Sequence, residues 1–293
     1  MTYLLGIYIF ILPFLCEYFR TGSYWPICLT SVICWSLLFL EWRKAVRIFV
    51  SKSGVAALLL LGFFAIHFLL QEVKDTESFL IMTIWYPVFL VGRCCCDKDS
   101  VRRCEKAFLL SCLVQSCYAL LQGLEVFHSN NGIFPMTGSF SNPGPLGGYS
   151  AVGLVLLFSR LKDWRYSPVW LVSGVLLAIV VILSNSRAAW LATFIGMSVC
   201  FIAKWKFRKV SFAILATFVI LAFLFYFVRP ESADGRVLIW KICLDNVGEF
   251  WLSGCGADGF QRNYMNWQGS YFVGAIRPES EMTLACDNTH CFK

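Results

Sequence analysis

The sequence predicts an all-α fold: a polytopic transmembrane helix bundle of about nine helices. The N-terminus is predicted to be cytoplasmic, and an extracytoplasmic C-terminal segment to contain an amphipathic helix. Three observations carry this prediction. First, of 293 residues 58% are hydrophobic and only 15% charged, whereas a soluble domain has about 45–50% and about 25%. The excess is more than one or two domain cores can enclose. Second, apolar stretches recur at close to the length that crosses a hydrocarbon core, about 20 residues. Third, Lys and Arg crowd into alternate connections. Soluble globular, disordered and fibrous classes are excluded.

The apolar segments run over residues 2–16, 24–40, 54–70, 78–92, 107–124, 145–159, 168–184, 188–203 and 210–228. Lipid offers the backbone no hydrogen-bond partner, so each segment must satisfy itself as a helix or close into a barrel. No ten-residue alternation suggests a barrel. The fourth and sixth segments are the shortest. Met1 leads directly into apolar residues without a basic region or a small-residue cleavage site, which predicts a first membrane helix rather than a removable signal. The second, fourth, sixth and eighth connections hold sixteen Lys and Arg, among them Arg43, Lys98, Arg160 and Lys206; the odd connections hold only Arg20, Lys74 and Arg187. Basic loops stay on the cytoplasmic side, so the odd loops and everything beyond residue 228 are predicted to lie outside.

The net charge of +7 therefore reports topology, and no nucleic-acid partner is expected. The domains read as a transmembrane bundle over 1–228 and an extracytoplasmic tail over 229–293. In the tail Arg236, Trp240, Cys243, Leu244 and Val247 fall at helical spacing, which predicts an amphipathic helix lying on the bundle or the membrane.

Of fourteen cysteines, six lie in apolar segments, where the thiol is a small hydrophobe. Cys94, Cys95, Cys96 and Cys104 share a loop assigned to the reducing side, without the C-x-x-C spacing that brings two thiolates to one zinc ion. No metal site and no cofactor are expected. Cys243, Cys255, Cys286 and Cys291 fall on the side where disulfides form, with three possible pairings. Gly254-Cys255-Gly256-Ala257-Asp258-Gly259 matches G-x-G-x-x-G. A dinucleotide site needs a strand before it and a βαβ unit around it, and here a tight turn is the better reading.

Four further groups carry candidate chemistry. Gly138-Ser139-Phe140-Ser141-Asn142-Pro143-Gly144-Pro145-Leu146 reads as a helix start, with Asn142 as the cap and prolines in the first turn. A helix N-terminus is also a natural anion site. Ser184-Asn185-Ser186-Arg187 is a four-residue turn whose polar cluster suits an anion better than lipid. Arg236 opens the tail helix and could simply pack on Trp240. His290, in Asp287-Asn288-Thr289-His290, has the one side chain whose ordinary pKa suits proton transfer near neutrality. Charge counting places all four groups outside. Two guanidiniums suit a diphosphate, since each is a fixed fork that keeps its charge.

With these residues the sequence resembles the superfamily of O-antigen ligases and O-antigen polymerases. The segments that carry the resemblance are 138–146, Leu183 to Trp190, Gly235-Arg236 with Trp240 and 254–260, and 287–290, in the family's order. The resemblance implies metal-independent transfer of a glycan from undecaprenyl diphosphate to an acceptor hydroxyl, at the periplasmic face of a bacterial inner membrane. The acceptor would be lipid A core for a ligase, or a second lipid-linked glycan for a polymerase. It also implies that Arg187 and Arg236 hold the diphosphate and that His290 orients or deprotonates the hydroxyl. Asn142 and Ser186 would shape and line the substrate cavity. Family members continue past this histidine into further membrane helices, so the resemblance implies a chain that is a fragment or is truncated. A rival class is an exporter with the same residues along a substrate path. The scarcity of ionisable residues in the spans, His67 excepted, argues for a site at the membrane edge. A structural subunit of an envelope assembly is a third reading.

Overall fold

The computed structural model describes residues 2–15, 25–70, 76–160, 168–205, 230–251, 254–255 and 259–273. Among these, eleven α-helices and two short 3₁₀ turns form, and there is no strand. The helices are α1 Thr2–Ile11, α2 Trp25–Leu40, α3 Trp42–Phe49, α4 Lys52–Leu70, α5 Thr76–Cys94 and α6 Lys98–Gly123. They continue as α7 Pro143–Arg160, α8 Pro168–Leu183, α9 Arg187–Trp205, α10 Pro230–Asn246 and α11 Gly259–Val273. The fold is all-α as predicted. Eight of the nine apolar segments coincide with helices; the ninth, 210–228, lies outside the described residues, as does His290. Helices α4 and α6 are long and apolar enough to cross a membrane, while Thr2–Leu15, Cys28–Leu40, Val169–Leu183 and Arg187–Phe201 are shorter apolar helices.

Two elements depart from the sequence reading. Helix α3 forms within the second connection, where Trp42, Val46 and Phe49 alternate with Arg43, Lys44 and Arg47. A search for membrane-length apolar runs passes over eight residues of this kind. Helix α6 begins nine residues before its apolar segment, at Lys98. Asp97 caps it, accepting from Ser100 N at 3.0 Å and from Ser100 Oγ at 2.7 Å. Those bonds to the charged carboxylate hold its pKa below the usual value.

The chain divides into two units, Met1–Ile48 with Phe89–Ala222, and Phe49–Val88 with Phe223–Lys293. In the first, α7 is the hub, and small residues let its neighbours approach. A Cβ on Gly153 of α7 would meet Cys112 Sγ of α6 at 2.9 Å, and one on Gly174 of α8 would meet Leu157 at 3.2 Å. A Cβ on Gly196 of α9 would come within 2.6 Å of Val155. Lipid supplies no hydrophobic drive between helices, so close backbone packing at such residues is what joins them. The pairings fix directions. Gly6 lies on Ala107 and Ser111 Oγ donates to Phe10 O, so α1 and α6 run parallel. Arg160 forks onto Glu105, its Nε 3.1 Å from Oε2 and its second nitrogen 2.5 Å from Oε1. This pair makes α7 antiparallel to α6. Helix α7 is antiparallel to α8 and parallel to α9.

In the second unit Phe68 of α4 stacks on Phe79 of α5 at 4.3 Å, and Phe49, the last residue of α3, lies edge-on to Tyr86 of α5 at 6.1 Å. Leu238 and Ile242 of α10 are buried against Tyr264 and Tyr271 of α11. Phe250 stacks on Trp267 at 5.1 Å. The tail helix is therefore present, but it is apolar on two faces rather than one. Of the predicted stripe Trp240 and Leu244 are exposed, whereas Cys243 packs against the buried cluster of Leu238 and Ile242 on the other side.

Candidate functional site

The loop 124–142 and the helix start that follows it are held by two glutamines that the sequence reading did not single out. Gln115 and Gln122 stand seven residues apart on α6, hence on one face, and both are buried. Gln122 Oε1 accepts from Thr137 N at 3.1 Å and Gly138 N at 2.7 Å, and its Nε2 donates to Gly138 O at 3.0 Å and His128 O at 3.1 Å. Gln115 Nε2 donates to Ser139 Oγ at 2.7 Å, and its Oε1 accepts from Ser139 N at 3.0 Å. Ser139 Oγ in turn donates to Pro13 O at 2.6 Å. A buried amide earns its place only when satisfied, and here the backbone of 137–139 satisfies it. Gly138 sits at φ +62°, and a Cβ there would be 2.8 Å from Gln115 Oε1; both facts call for glycine.

Replacing Gln122 by Leu is expected to lower stability by about 2–4 kcal/mol, because it strands two buried N–H groups. The thermal midpoint of the detergent-solubilised protein measures this, and an unchanged midpoint would refute the clasp.

Asn142 then caps α7, its Oδ1 accepting from Gly144 N at 2.9 Å, with Pro143 as the first helical residue. At the neighbouring turn each polar residue has a local task. Asn185, at φ +49°, ends α8 in the left-handed conformation. Ser186 caps α9 by accepting from Ala189 N at 3.3 Å, and this uses its oxygen as acceptor, not its hydroxyl proton. Trp190 Nε1 reaches back to Val181 O at 2.7 Å. Arg187 thereby falls in the first turn of α9, half-buried.

The structure brings these two motifs together. A Cβ on Gly147 would lie 3.0 Å from Ala189 Cβ and closer still to Ser184 Oγ. Ala151, Val181 and Ala189 form one buried cluster. The parallel helices α7 and α9 thus start side by side, and Asn142, Ser186 and Arg187 gather at one end of the first unit. Arg236 belongs to the second unit, exposed on α10.

The remaining candidates have plainer surroundings. Gly254 takes φ +73°, and its N–H donates to Phe250 O at 2.7 Å. The G-x-G-x-x-G stretch follows α10 and a 3₁₀ turn, not a strand, and Gly259 opens α11. Burial pushes the Cys95 thiol up to about 11, reinforced by Cys104, so it is a protonated, unreactive group at neutral pH. Among the described residues no three His, Cys, Asp or Glu are arranged to hold a metal ion.

The described residues form an all-helical protein in which α4 and α6 are long and apolar enough to cross a membrane, which fits a membrane protein. Residues 172–281 match the family model described as O-antigen ligase. Over this stretch, somewhat more than a third of the chain, the protein is similar to the O-antigen ligase family, a likeness that supports a glycosyltransferase-like role in surface polysaccharide assembly. No curated protein and no solved structure matches it. The matched stretch takes in Arg187 and Arg236 but neither Asn142 nor His290.

Proposed function

We propose that the protein transfers a glycan from undecaprenyl diphosphate to an acceptor hydroxyl at the outer face of the bacterial inner membrane, as an O-antigen ligase or polymerase. The observation that carries this reading is the side-by-side start of α7 and α9, with Arg187 in the first turn of α9. Each helix N-terminus carries about half a positive charge; two of them beside a guanidinium favour a diphosphate over a neutral group. In this reading the acceptor oxygen attacks the anomeric carbon and the bond to the diphosphate oxygen breaks. The electron pair stays on the departing diphosphate, where Arg187 and Arg236 stabilise it. His290 takes the hydroxyl proton, and Asn142 and Ser186 line the cavity. The acceptor is lipid A core or a second lipid-linked glycan. The alternating helix directions of the first unit agree with the charge-derived topology, which puts this end of the bundle in the periplasm.

The test locates the substrate that accumulates when the gene is deleted. A transferase leaves lipid-linked glycan on the outer leaflet, where an impermeant glycan-cleaving enzyme reaches it in spheroplasts. Accumulation on the inner leaflet alone would replace the proposal with an exporter, and no accumulation would point to a structural subunit.

A further inference from the structure

Helix α10 carries five charged residues in seventeen, Glu231, Asp234, Arg236, Lys241 and Asp245, too many to cross a bilayer. Its apolar residues nevertheless fall on two opposite faces. One, through Leu238 and Ile242, is closed by α11, with Ile242 fully buried. The other consists of Val237, Trp240 and Leu244, continued by Val247 in the 3₁₀ turn that follows, spaced three, four and three apart, with Trp240 65% and Leu244 69% exposed. At about 100° per residue these four cover a stripe about 80° wide, centred about 160° from the direction of Leu238 and Ile242. Trp251, just beyond the helix, is 73% exposed. Arg236 and Lys241 stand on the two flanks of the stripe.

Water is a poor occupant for such a stripe, and the chain supplies a better one nearby. Helix α10 opens at Pro230, two residues past the ninth apolar segment, and two residues reach at most about 7 Å. The hydropathy of that segment, read as a membrane span, tethers the helix start within a headgroup's thickness of the hydrocarbon. A helix with an apolar stripe, tryptophan on it and basic residues at its flanks is built for that layer.

We propose that α10 lies in the lipid–water interface with Val237, Trp240, Leu244 and Val247 in the acyl boundary, which sets Arg236 at the depth of a lipid-borne diphosphate. The second clause rests on the proposed transfer reaction; the first does not. An exposed arginine on a loop would be free to sample many heights above the membrane. On a helix floated by its own stripe it is held at the level where a polyprenyl diphosphate carries its charge. Its aliphatic stem lies along the lipid and its guanidinium snorkels to the phosphates.

The experiment places the photoreactive residue benzoylphenylalanine at position 240, 244 or 245 of the full chain in its native membrane. After irradiation, phospholipid adducts are identified by mass spectrometry. The expected result is a severalfold higher yield of lipid adducts at 240 and 244 than at Asp245, which lies off the stripe. Adducts to protein alone at 240 and 244, or equal lipid yields at all three positions, would overturn the interfacial placement. Arg236→Ala assayed for glycan transfer separates the two claims. Lipid adducts at the stripe with undiminished transfer by Arg236→Ala would leave the placement standing and remove the diphosphate role.

Discussion

Replacing Arg187 by alanine is expected to lower glycan transfer by about 10²–10³-fold, the usual cost of removing one donor to a developing anion. Membrane insertion should be unchanged, because the turn that carries Arg187 is held by other groups. Asn185 ends α8, Ser186 caps α9, and Trp190 Nε1 returns to Val181 O. Lysine keeps the charge but loses the planar fork, so Arg187→Lys should recover part of the activity only. Arg236→Ala should show a comparable loss if both guanidiniums serve one diphosphate, and the double variant should then lose less than the product of the two. Transfer is measured as attached glycan on the acceptor, normalised to protein in the membrane fraction. Undiminished transfer by both single variants would sink the catalytic assignment.

The second large effect is expected at Gly147. Valine there must place a Cβ against Ser184 and Ala189, 3.0 Å from the Cβ of each, and both are backbone-anchored short side chains that cannot swing aside. Overpacking of this kind costs about 1–3 kcal/mol when the surroundings relax, and more when they cannot. The clash also forces the turn before α9 away from the start of α7, so Gly147→Val should lower both the thermal midpoint and transfer. Gly148 is the internal control. A Cβ there meets nothing within 4 Å, and Gly148→Ala should raise stability slightly, since glycine within a helix costs about 0.5–1 kcal/mol. Equal midpoints for the Gly147 and Gly148 variants would show that the crossing is looser than the backbone indicates.

These two positions show what a reader of the sequence can and cannot reach. Arg187 is visible because a single basic residue in a polar outer turn breaks the charge pattern. Gly147 is silent: nothing in Leu146-Gly147-Gly148 distinguishes the glycine that touches a neighbouring turn from the one that faces open space. The segments 138–146 and 183–190 could be set in order, but their contact is a tertiary fact. The same holds for Gln115 and Gln122. In a hydropathy window they are minor interruptions of an apolar run, and their partners lie sixteen and twenty-four residues downstream. The apolar helices were legible because lipid leaves the backbone no alternative. Helix α3 was not, since eight residues, five of them basic or aromatic, satisfy no membrane criterion. In α10 the exposed stripe was readable at helical spacing, while the buried face was not, because Leu238 and Ile242 only separate from it once Tyr264 and Tyr271 are in place. His290 and the ninth apolar segment lie outside the described residues.

The fork between Arg160 and Glu105 stands at the opposite end of α6 and α7 from the glutamine clasp. Two helices fastened at both ends cannot ratchet past one another by a turn, since either motion would break a charged fork or strand several buried amides. Any breathing that admits a bulky lipid-borne chain must therefore come from helices other than this pair. α6 and α7 would act as the stator of the machine, the fixed frame against which other parts open.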